Sequence, residues 1–333
     1  MWKVISLDAT GTLFKVRGTT GFHYNKVLNN YGLYLKDDIV SKNFLKVFSD
    51  LSKEQPCFGH SKEQKDISFS MSRIKTDNSN VVGTTSHHTV GGEKWWFDLI
   101  KLVLLKSIDP NDEKASRLVK NLPDQAYMEL YKRFEGKSGG VPSMVSGHHD
   151  CWEVYPEVVE TLEELQKRKK YLSVISNFDE RIFSILQDLD LIKYFCIKNQ
   201  RSKLFNNNQN NHQNNNNEYY INKSNNLINS SESSNCNNNN SIPPNYLITT
   251  SLNSGYQKPH WNIFEHGFNQ INKEIDPSLT KEEIVYVGDS DQKDYQGATN
   301  YGFSALLLDR YGKHPQHPNR ISTLKEILPL LKD

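Results

Sequence analysis

The sequence predicts an α/β protein with a doubly wound parallel sheet and a second, mostly helical domain inserted after the first strand. Short apolar runs that end in glycine or polar residues alternate with stretches whose apolar residues recur at helical spacing. Between about residues 24 and 146 this alternation is lost and the apolar residues follow a helical period. The chain therefore divides into a sheet-forming core and a helical insertion.

The strands of the core are predicted from short apolar runs. The run at 4–7 ends before Asp8 and Gly11, and its length favours a buried strand over a helix. The run at 171–175 ends before Ser176 and Asn177. Further strands are predicted at 194–197, 245–250, 284–287 and 304–308.

Helices are predicted where apolar residues share one face at a period of about 3.6. In the core these stretches run from about 158 to 165, 181 to 191 and 263 to 271. In the insertion they include 95–105, which begins with Trp95-Trp96, and 126–134. Trp95 and Trp96 could line a substrate entrance, but adjacent tryptophans on a helix place at least one ring in a core, which favours packing.

Composition argues for a small-molecule partner. Lys+Arg number 40 and Asp+Glu 39, so the net charge of +1 gives no general attraction to nucleic acid or to an anionic membrane. The four cysteines form no CxxC pair and are expected to be free thiols. The first apolar stretch is too short for a signal sequence and no run approaches the roughly 18 apolar residues of a membrane span, so we expect a cytoplasmic protein.

Two segments have a composition that does not form a core. Residues from about 206 to 240 are dominated by asparagine and serine and are interpreted as a disordered insertion, with a polar partner-binding or aggregation-prone tract as the alternative. Residues 66–92 are polar and predicted to form a long loop. The pairs His87-His88 and His148-His149 are expected to be exposed loop histidines rather than metal ligands, since sequence neighbours do not share a face.

Polar residues follow several strands, and parallel strands deliver their carboxyl ends to one edge of the sheet. Asp8, Ser176 and Asp289 each follow a predicted strand and should therefore be neighbours. Lys258 lies in a GYQKP segment, and Asp294 ends a GDSDQKD segment. Each residue alone has a structural alternative: a helix cap, a strand-end hydroxyl, a surface charge or a solvated turn.

Together and in this order, the segments DATGTL from Asp8, VISN ending at Asn177, GYQKP around Lys258 and GDSDQKD from Gly288 resemble the four motifs of the haloacid dehalogenase-like hydrolase superfamily. The pair Trp95-Trp96 and the segments SNFD and DYQG further resemble the subgroup named haloacid dehalogenase-like hydrolase domain-containing protein 3. The resemblance implies a Rossmann-like core, a helical cap and, in most members, Mg²⁺-dependent phosphoryl transfer.

The resemblance also implies roles for single residues. The carboxylate of Asp8 would attack phosphorus, with Lys258 and Ser176 as the other catalytic groups. Substrate contacts would come from Ser176, the backbone amide of Asn177, and Thr12. Magnesium would be bound by Asp8, the backbone carbonyl of Thr10, and Asp289, since it prefers hard oxygen ligands. Asp294 would not bind the metal directly. It would contact the metal through water, hold Lys258 in place, or cap a helix.

Thr10 departs from the phosphatase pattern, in which a second aspartate stands two residues after the nucleophile. A threonine hydroxyl does not titrate near neutral pH, so this route to general acid-base help is absent. The leading interpretation is a weak or specialised phosphatase acting on a small phosphorylated metabolite. A non-catalytic binding protein is the second, and a 2-haloacid dehalogenase, which needs no metal, is the third; retention of Asp289 argues against it.

The expected domain boundaries follow from these assignments. Residues 1–15 and 150–333 are predicted to form the core, with the asparagine-rich insertion at about 200–244. Residues 16–149 are predicted to form the cap. The physiological substrate is not predicted, because in this architecture the cap selects the substrate, and the cap has no cluster of charged residues that indicates a ligand. The oligomeric state is not predicted either.

Overall fold

A computed structural model describes residues 1–62, 92–136, 151–200 and 245–331. None of the helices in these ranges combines the length and the apolar character needed to cross a membrane. The predicted asparagine-rich insertion, both histidine pairs and all of the predicted polar loop except Gly92 lie outside the described residues. Within those residues, Cys57, Cys151 and Cys196 are not joined in disulfide bonds.

The core is built on a six-stranded parallel sheet, in which the strands lie side by side in the order Ile248–Thr250, Tyr171–Ser176, Val4–Leu7, Ile284–Gly288, Ser304–Leu308 and Arg320–Ile321. A separate antiparallel pair joins Phe14–Val16 to Trp152–Val154. The predicted fold class is therefore confirmed. In chain order the strands are β1 (Val4–Leu7), β2 (Phe14–Val16), β3 (Trp152–Val154), β4 (Tyr171–Ser176), β5 (Ile248–Thr250), β6 (Ile284–Gly288), β7 (Ser304–Leu308) and β8 (Arg320–Ile321).

Helices cover the sheet and form the insertion. In chain order, those in the described ranges are α1 (Thr20–Leu28), α2 (Asp37–Glu54), α3 (Glu93–Ser107), α4 (Glu113–Lys120), α5 (Asp124–Arg133), α6 (Val158–Lys167), α7 (Ile182–Asp188), α8 (Ser251–Ser254), α9 (Trp261–Glu274) and α10 (Gly297–Tyr301). A π-helical turn, Asp291–Gln296, precedes α10.

The central strands are buried on both faces, as continuous apolar runs in a parallel sheet require. Ile5 and Leu7 of β1 point into one apolar cluster, whereas Val4 points into another on the opposite face. In register, Leu7 pairs with Val174 of β4 and with Val287 of β6. The residues that follow these positions therefore meet at the carboxyl edge of the sheet.

The insertion has an apolar core of its own. Helix α2 contributes Val40, Val47 and Leu51, which pack with Leu99 and Val103 of α3. The chain leaves and re-enters the sheet region through the antiparallel pair of β2 and β3, in which Phe14 is opposite Val154. The exact division into core and cap stays a prediction, with this strand pair at its boundary.

One predicted strand is wrong. Residues 194–197 do not extend along β4; they include the end of a 3₁₀ turn, Ile192–Phe195, and then a single antiparallel bridge from Cys196 to Tyr246. The place beside β4 is taken by β5, which arrives later in the chain. Tyr194 and Phe195 are buried all the same, so their apolar character reflects packing of a turn rather than strand formation.

Candidate active site

Asp8 lies directly after β1 at the centre of the carboxyl edge. Its backbone N–H donates to the Val287 carbonyl at 2.9 Å, so the residue is fixed against β6. The residue is only 7% exposed. Oδ1 accepts hydrogen bonds from Lys258 Nζ at 2.7 Å and from Ser176 Oγ at 2.8 Å. Among the described residues, both side-chain donors converge on Oδ1, which leaves Oδ2 available for a ligand.

Lys258 is buried and its ammonium group has three oxygen partners. Nζ donates to Asp8 Oδ1 at 2.7 Å, to Asp294 Oδ1 at 2.6 Å and to the Tyr286 hydroxyl at 2.8 Å. Burial alone would lower the pKa of Lys258, but the charges of Asp294 and Asp8 outweigh it and hold the pKa above its usual value. The lysine is therefore a fixed positive charge.

The side chain of Asn177 holds the backbone of Lys258. Its amide donates to the Lys258 carbonyl at 3.1 Å, and its Oδ1 accepts from the Lys258 N–H at 2.7 Å. This pair of bonds links the loop after β4 to the segment that carries the lysine. The predicted substrate contact of Asn177, through its backbone amide, is left open by this arrangement and stays a prediction.

Tyr286 was not found from the sequence. It lies within β6, its ring is fully buried, and its hydroxyl donates to the Ile175 carbonyl at 2.6 Å. With its proton used in that bond, the oxygen presents lone pairs to Lys258. Burial, and then the charges of Asp294 and Asp8, raise the pKa of Tyr286 well above its usual value, so it remains neutral. A tyrosine in an otherwise apolar central strand was the available signal.

Asp294 holds Lys258, which was one of the three roles considered for it. Its Oδ1 accepts from the lysine, and its Oδ2 accepts from the Ser290 backbone N–H at 2.9 Å. Gly288 makes this approach possible, because a Cβ at that position would lie 2.3 Å from the Asp294 Cγ. Both carboxylate oxygens are therefore engaged by protein donors.

Asp289 faces solvent beside this cluster. Carboxylate oxygens of Asp8, Asp289 and Asp294 lie within 4.8 Å of one another. Partial enclosure by the protein, and then the charges of Asp8 and Asp294, raise the pKa of Asp289 to about 7. Three crowded carboxylates against one ammonium group leave excess negative charge, which a cation would relieve.

The loop after β1 places Thr10 and Thr12 differently. The side chain of Thr10 is exposed, whereas that of Thr12 is fully buried and its hydroxyl has no hydrogen-bond partner among the described residues. The predicted contact of Thr12 with substrate therefore gains no support from the geometry. Between them, Gly11 has a φ of +87°, and a Cβ there would lie 2.4 Å from Asp289 Oδ2, so only glycine fits.

Arg310 holds the same loop and was also missed. Its guanidinium donates to the carbonyls of Gly11 at 3.2 Å and Thr12 at 2.7 Å, and it forms an ion pair with Glu157. It also lies 3.8 Å from the ring centre of Tyr155. Since its partners are backbone carbonyls about 300 positions away, no local pattern could have indicated this contact.

The insertion contacts a buried ion pair in the loop after β4, formed by Asp179 and Arg181. Arg181 donates to Asp179 Oδ2 at 2.7 Å, and its guanidinium lies between the rings of Trp96 and Tyr131, at 4.2 and 4.3 Å from their centres. Trp96 Nε1 donates to the same carboxylate oxygen at 2.6 Å. Asp179 Oδ1 also accepts from the Arg181 backbone N–H at 3.0 Å, directly before α7.

Of the two adjacent tryptophans, Trp95 packs in the insertion core. It is 3% exposed, and its Nε1 donates to the Gln55 carbonyl. The preference for packing over a substrate entrance therefore agrees with the structure for Trp95, while Trp96 bridges the insertion to the core.

We expect Tyr286→Phe to lower the free energy of unfolding by about 1–3 kcal/mol, because Lys258 loses a buried acceptor and Ile175 a buried donor. Chemical denaturation of the purified protein would measure the change. The matched control is Tyr301→Phe, which removes a hydroxyl bonded to the partly exposed Glu265, where water can replace it. Equal losses in the two variants would contradict a special role for the Tyr286 hydroxyl.

Comparisons with known proteins find similar sequences and a similar fold, although no family model matches the chain. An uncharacterized protein of Saccharomyces cerevisiae is 23% identical over 328 residues, which cover 96% of this chain and 76% of the relative. Haloacid dehalogenase-like hydrolase domain-containing protein 3 of Bos taurus is 21% identical over 316 residues, covering 95% and 84%. The structure of a HAD-hydrolase, YfnB from Bacillus subtilis, bound to magnesium, matches with a TM-score of 0.55 at 13% identity, covering 99% and 98%.

The parallel sheet with Asp8, Ser176, Lys258 and Asp289 at its carboxyl edge has the α/β fold of haloacid dehalogenase-like hydrolases, and the sequence is similar to members of that superfamily. Within that superfamily it is similar to haloacid dehalogenase-like hydrolase domain-containing protein 3, which the Bos taurus, Homo sapiens and Mus musculus relatives represent.

Proposed function

We propose that this protein is a Mg²⁺-dependent phosphatase that acts on a small phosphorylated metabolite through an aspartyl-phosphate on Asp8. One observation carries the proposal: the Asp8 carboxylate is held through a single oxygen by Lys258 and Ser176, while Asp289 stands beside it. A carboxylate oriented in this way can attack phosphorus and divide one difficult displacement into two easier ones.

In the first step Asp8 Oδ2 forms a bond to phosphorus as the bond to the leaving oxygen breaks. Lys258 and Ser176 keep Oδ1 in place, so the attacking oxygen needs little reorientation. The fixed charge of Lys258 also lies where phosphoryl oxygens gather negative charge. Asp294 and Tyr286 act on the reaction only by positioning the lysine.

The residues present fit a magnesium ion. Asp8, Asp289 and the backbone carbonyl of Thr10 would hold it, since all three offer hard oxygen ligands. When bound, the ion would neutralise charge on the phosphoryl group and on the crowded carboxylates. The Bacillus subtilis neighbour is bound to magnesium, which agrees with this choice. The same crowded carboxylates argue against a metal-free dehalogenase, which would gain nothing from Asp289.

The leaving group sets the substrate class. Thr10 occupies the position from which an aspartate would protonate a departing alkoxide, and its hydroxyl does not titrate near neutral pH. Esters whose leaving group is stable as an anion need no such proton. The preferred substrates should therefore be acyl phosphates and aryl phosphates rather than alkyl phosphates.

Asp8→Asn is expected to abolish magnesium-dependent hydrolysis of p-nitrophenyl phosphate, with a loss of at least roughly 10³-fold, because the amide is a poor nucleophile of similar size. Purified full-length proteins assayed with and without EDTA would measure this. Equal trace rates for the natural protein and Asp8→Asn would contradict the phosphatase proposal and favour a non-catalytic binding protein. Halide release from a 2-haloacid without metal would instead support the dehalogenase.

A further inference from the structure

We propose that Arg310 is a positioning residue for the metal site: it holds the backbone that follows Asp8, and thereby sets the position of the Thr10 carbonyl and the affinity for magnesium. The inference rests on the magnesium site of the proposed function. It extends that site to a residue that follows β7, two places from β1 in the sheet, and that lies 299 positions after Gly11 in the chain.

The position of the Thr10 carbonyl depends on the backbone on either side of it. The Thr10 side chain is exposed and does not anchor the residue in the core. On one side, the Asp8 backbone N–H is bonded to the Val287 carbonyl at 2.9 Å. On the other side, Gly11 lies so close to Asp289 that a Cβ there would meet a carboxylate oxygen at 2.4 Å. A shift of this backbone would therefore move the Thr10 carbonyl relative to both carboxylates that are proposed to bind the ion.

Arg310 holds this backbone at its most flexible point. Nε donates to the Gly11 carbonyl at 3.2 Å, and Nη2 donates to the Thr12 carbonyl at 2.7 Å. Gly11 has a φ of +87°, and glycine has more backbone freedom than any other residue. A planar guanidinium donates its bonds in fixed directions, so it limits the rotation of the two peptide groups as well as their distance. The neighbouring peptide, which carries the Thr10 carbonyl, loses freedom with them.

Arg310 is itself held by residues outside this loop. Its side chain is 9% exposed and forms an ion pair with Glu157, and its guanidinium lies 3.8 Å from the ring centre of Tyr155. The Glu157 carboxylate also accepts from the Leu324 backbone N–H at 3.3 Å. Tyr155 and Glu157 follow β3, so the arginine connects the loop after β1 to a separate, fixed part of the core.

Removal of Arg310 would have two opposite effects on magnesium binding. Loss of a positive charge near the site would favour a cation, whereas loss of the two carbonyl contacts would free the backbone that carries a ligand. The effect of the charge is small, because Glu157 already neutralises the arginine. Outer partners that orient metal ligands contribute roughly 10- to 100-fold to affinity, so Arg310→Met should weaken magnesium binding by that factor.

The test is a calorimetric titration of the purified full-length protein with magnesium chloride, without substrate. Arg310→Lys keeps the charge but not the planar fork, so its loss of affinity should be smaller than that of Arg310→Met. The matched control is Arg168→Met. Arg168 also bonds to a backbone carbonyl, that of Leu328 at 2.8 Å, and to a glutamate, Glu164, but it lies shortly before β4 at the opposite edge of the sheet. This variant should keep the natural affinity for magnesium.

Glu157→Gln separates position from charge, because glutamine can still accept from Arg310 but carries no negative charge. It should leave the affinity largely unchanged. Equal or tighter magnesium binding by Arg310→Met, or a loss as large in Glu157→Gln or Arg168→Met, would overturn the positioning role and leave the phosphatase proposal standing. Absence of magnesium binding by the folded natural protein would overturn the proposed metal site together with this inference.

Discussion

Thr10→Asp is expected to raise kcat/KM for alkyl phosphates by roughly 10²–10⁴-fold, the usual worth of a positioned general acid. The Thr10 side chain is exposed, so aspartate at this position meets no packing obstacle. Its backbone carbonyl, the proposed magnesium ligand, is unchanged by the substitution. The gain should be much smaller for p-nitrophenyl phosphate, whose leaving group departs without a proton.

The matched control is Thr10→Asn, which has nearly the same shape as aspartate but does not titrate. It should leave the preference for aryl over alkyl esters unchanged. The measurement compares initial rates of the three proteins on one alkyl ester and one aryl ester at saturating magnesium. An equal gain for Asn and Asp, or no gain for Asp, would show that the second position after Asp8 does not limit leaving-group departure.

The core and its polar edge could be predicted because their signals are local. The strands at 4–7 and 304–308 match β1 and β7 residue for residue, since a short apolar run ended by a polar residue or glycine has few other structures available. Once the strands are parallel, their carboxyl ends meet at one edge. That rule alone predicts that Asp8, Ser176 and Asp289 are neighbours.

The contacts that fix the site could not be predicted, because they join residues far apart in the chain. Tyr286 was interpreted only as part of an apolar strand, yet its hydroxyl reaches Lys258 and the carbonyl of Ile175, 111 positions away. Arg310 donates to the carbonyls of Gly11 and Thr12 in the loop after β1, which are 299 and 298 positions earlier in the chain. Because every residue has a backbone carbonyl, the sequence does not indicate which of them a distant side chain will contact.

The wrong strand at 194–197 shows the related limit for apolar runs. Tyr194 and Phe195 have the composition of a strand, but the position beside β4 is filled by Ile248–Thr250. Burial can be satisfied by a turn as well as by a strand, and only the assembled sheet decides between them.

Arg181→Met is expected to lower the free energy of unfolding by about 3–5 kcal/mol, because it removes one partner of a buried ion pair and leaves the other charge buried. Arg181 is 3% exposed, and the Asp179 side chain that it contacts is fully buried. Its charge also acts on Glu180 and Glu135, whose pKa values burial raises. Methionine can fill the space between Trp96 and Tyr131, but it leaves the carboxylate without its cation.

The matched control is Arg117→Met on α4, where the arginine pairs with Glu113 on an exposed helix face. Such pairs contribute only about 0.3–0.5 kcal/mol, so the two variants should differ several-fold in denaturation experiments. Equal stability losses in the two variants would mean that this buried pair does not hold the insertion against the loop that carries Ser176.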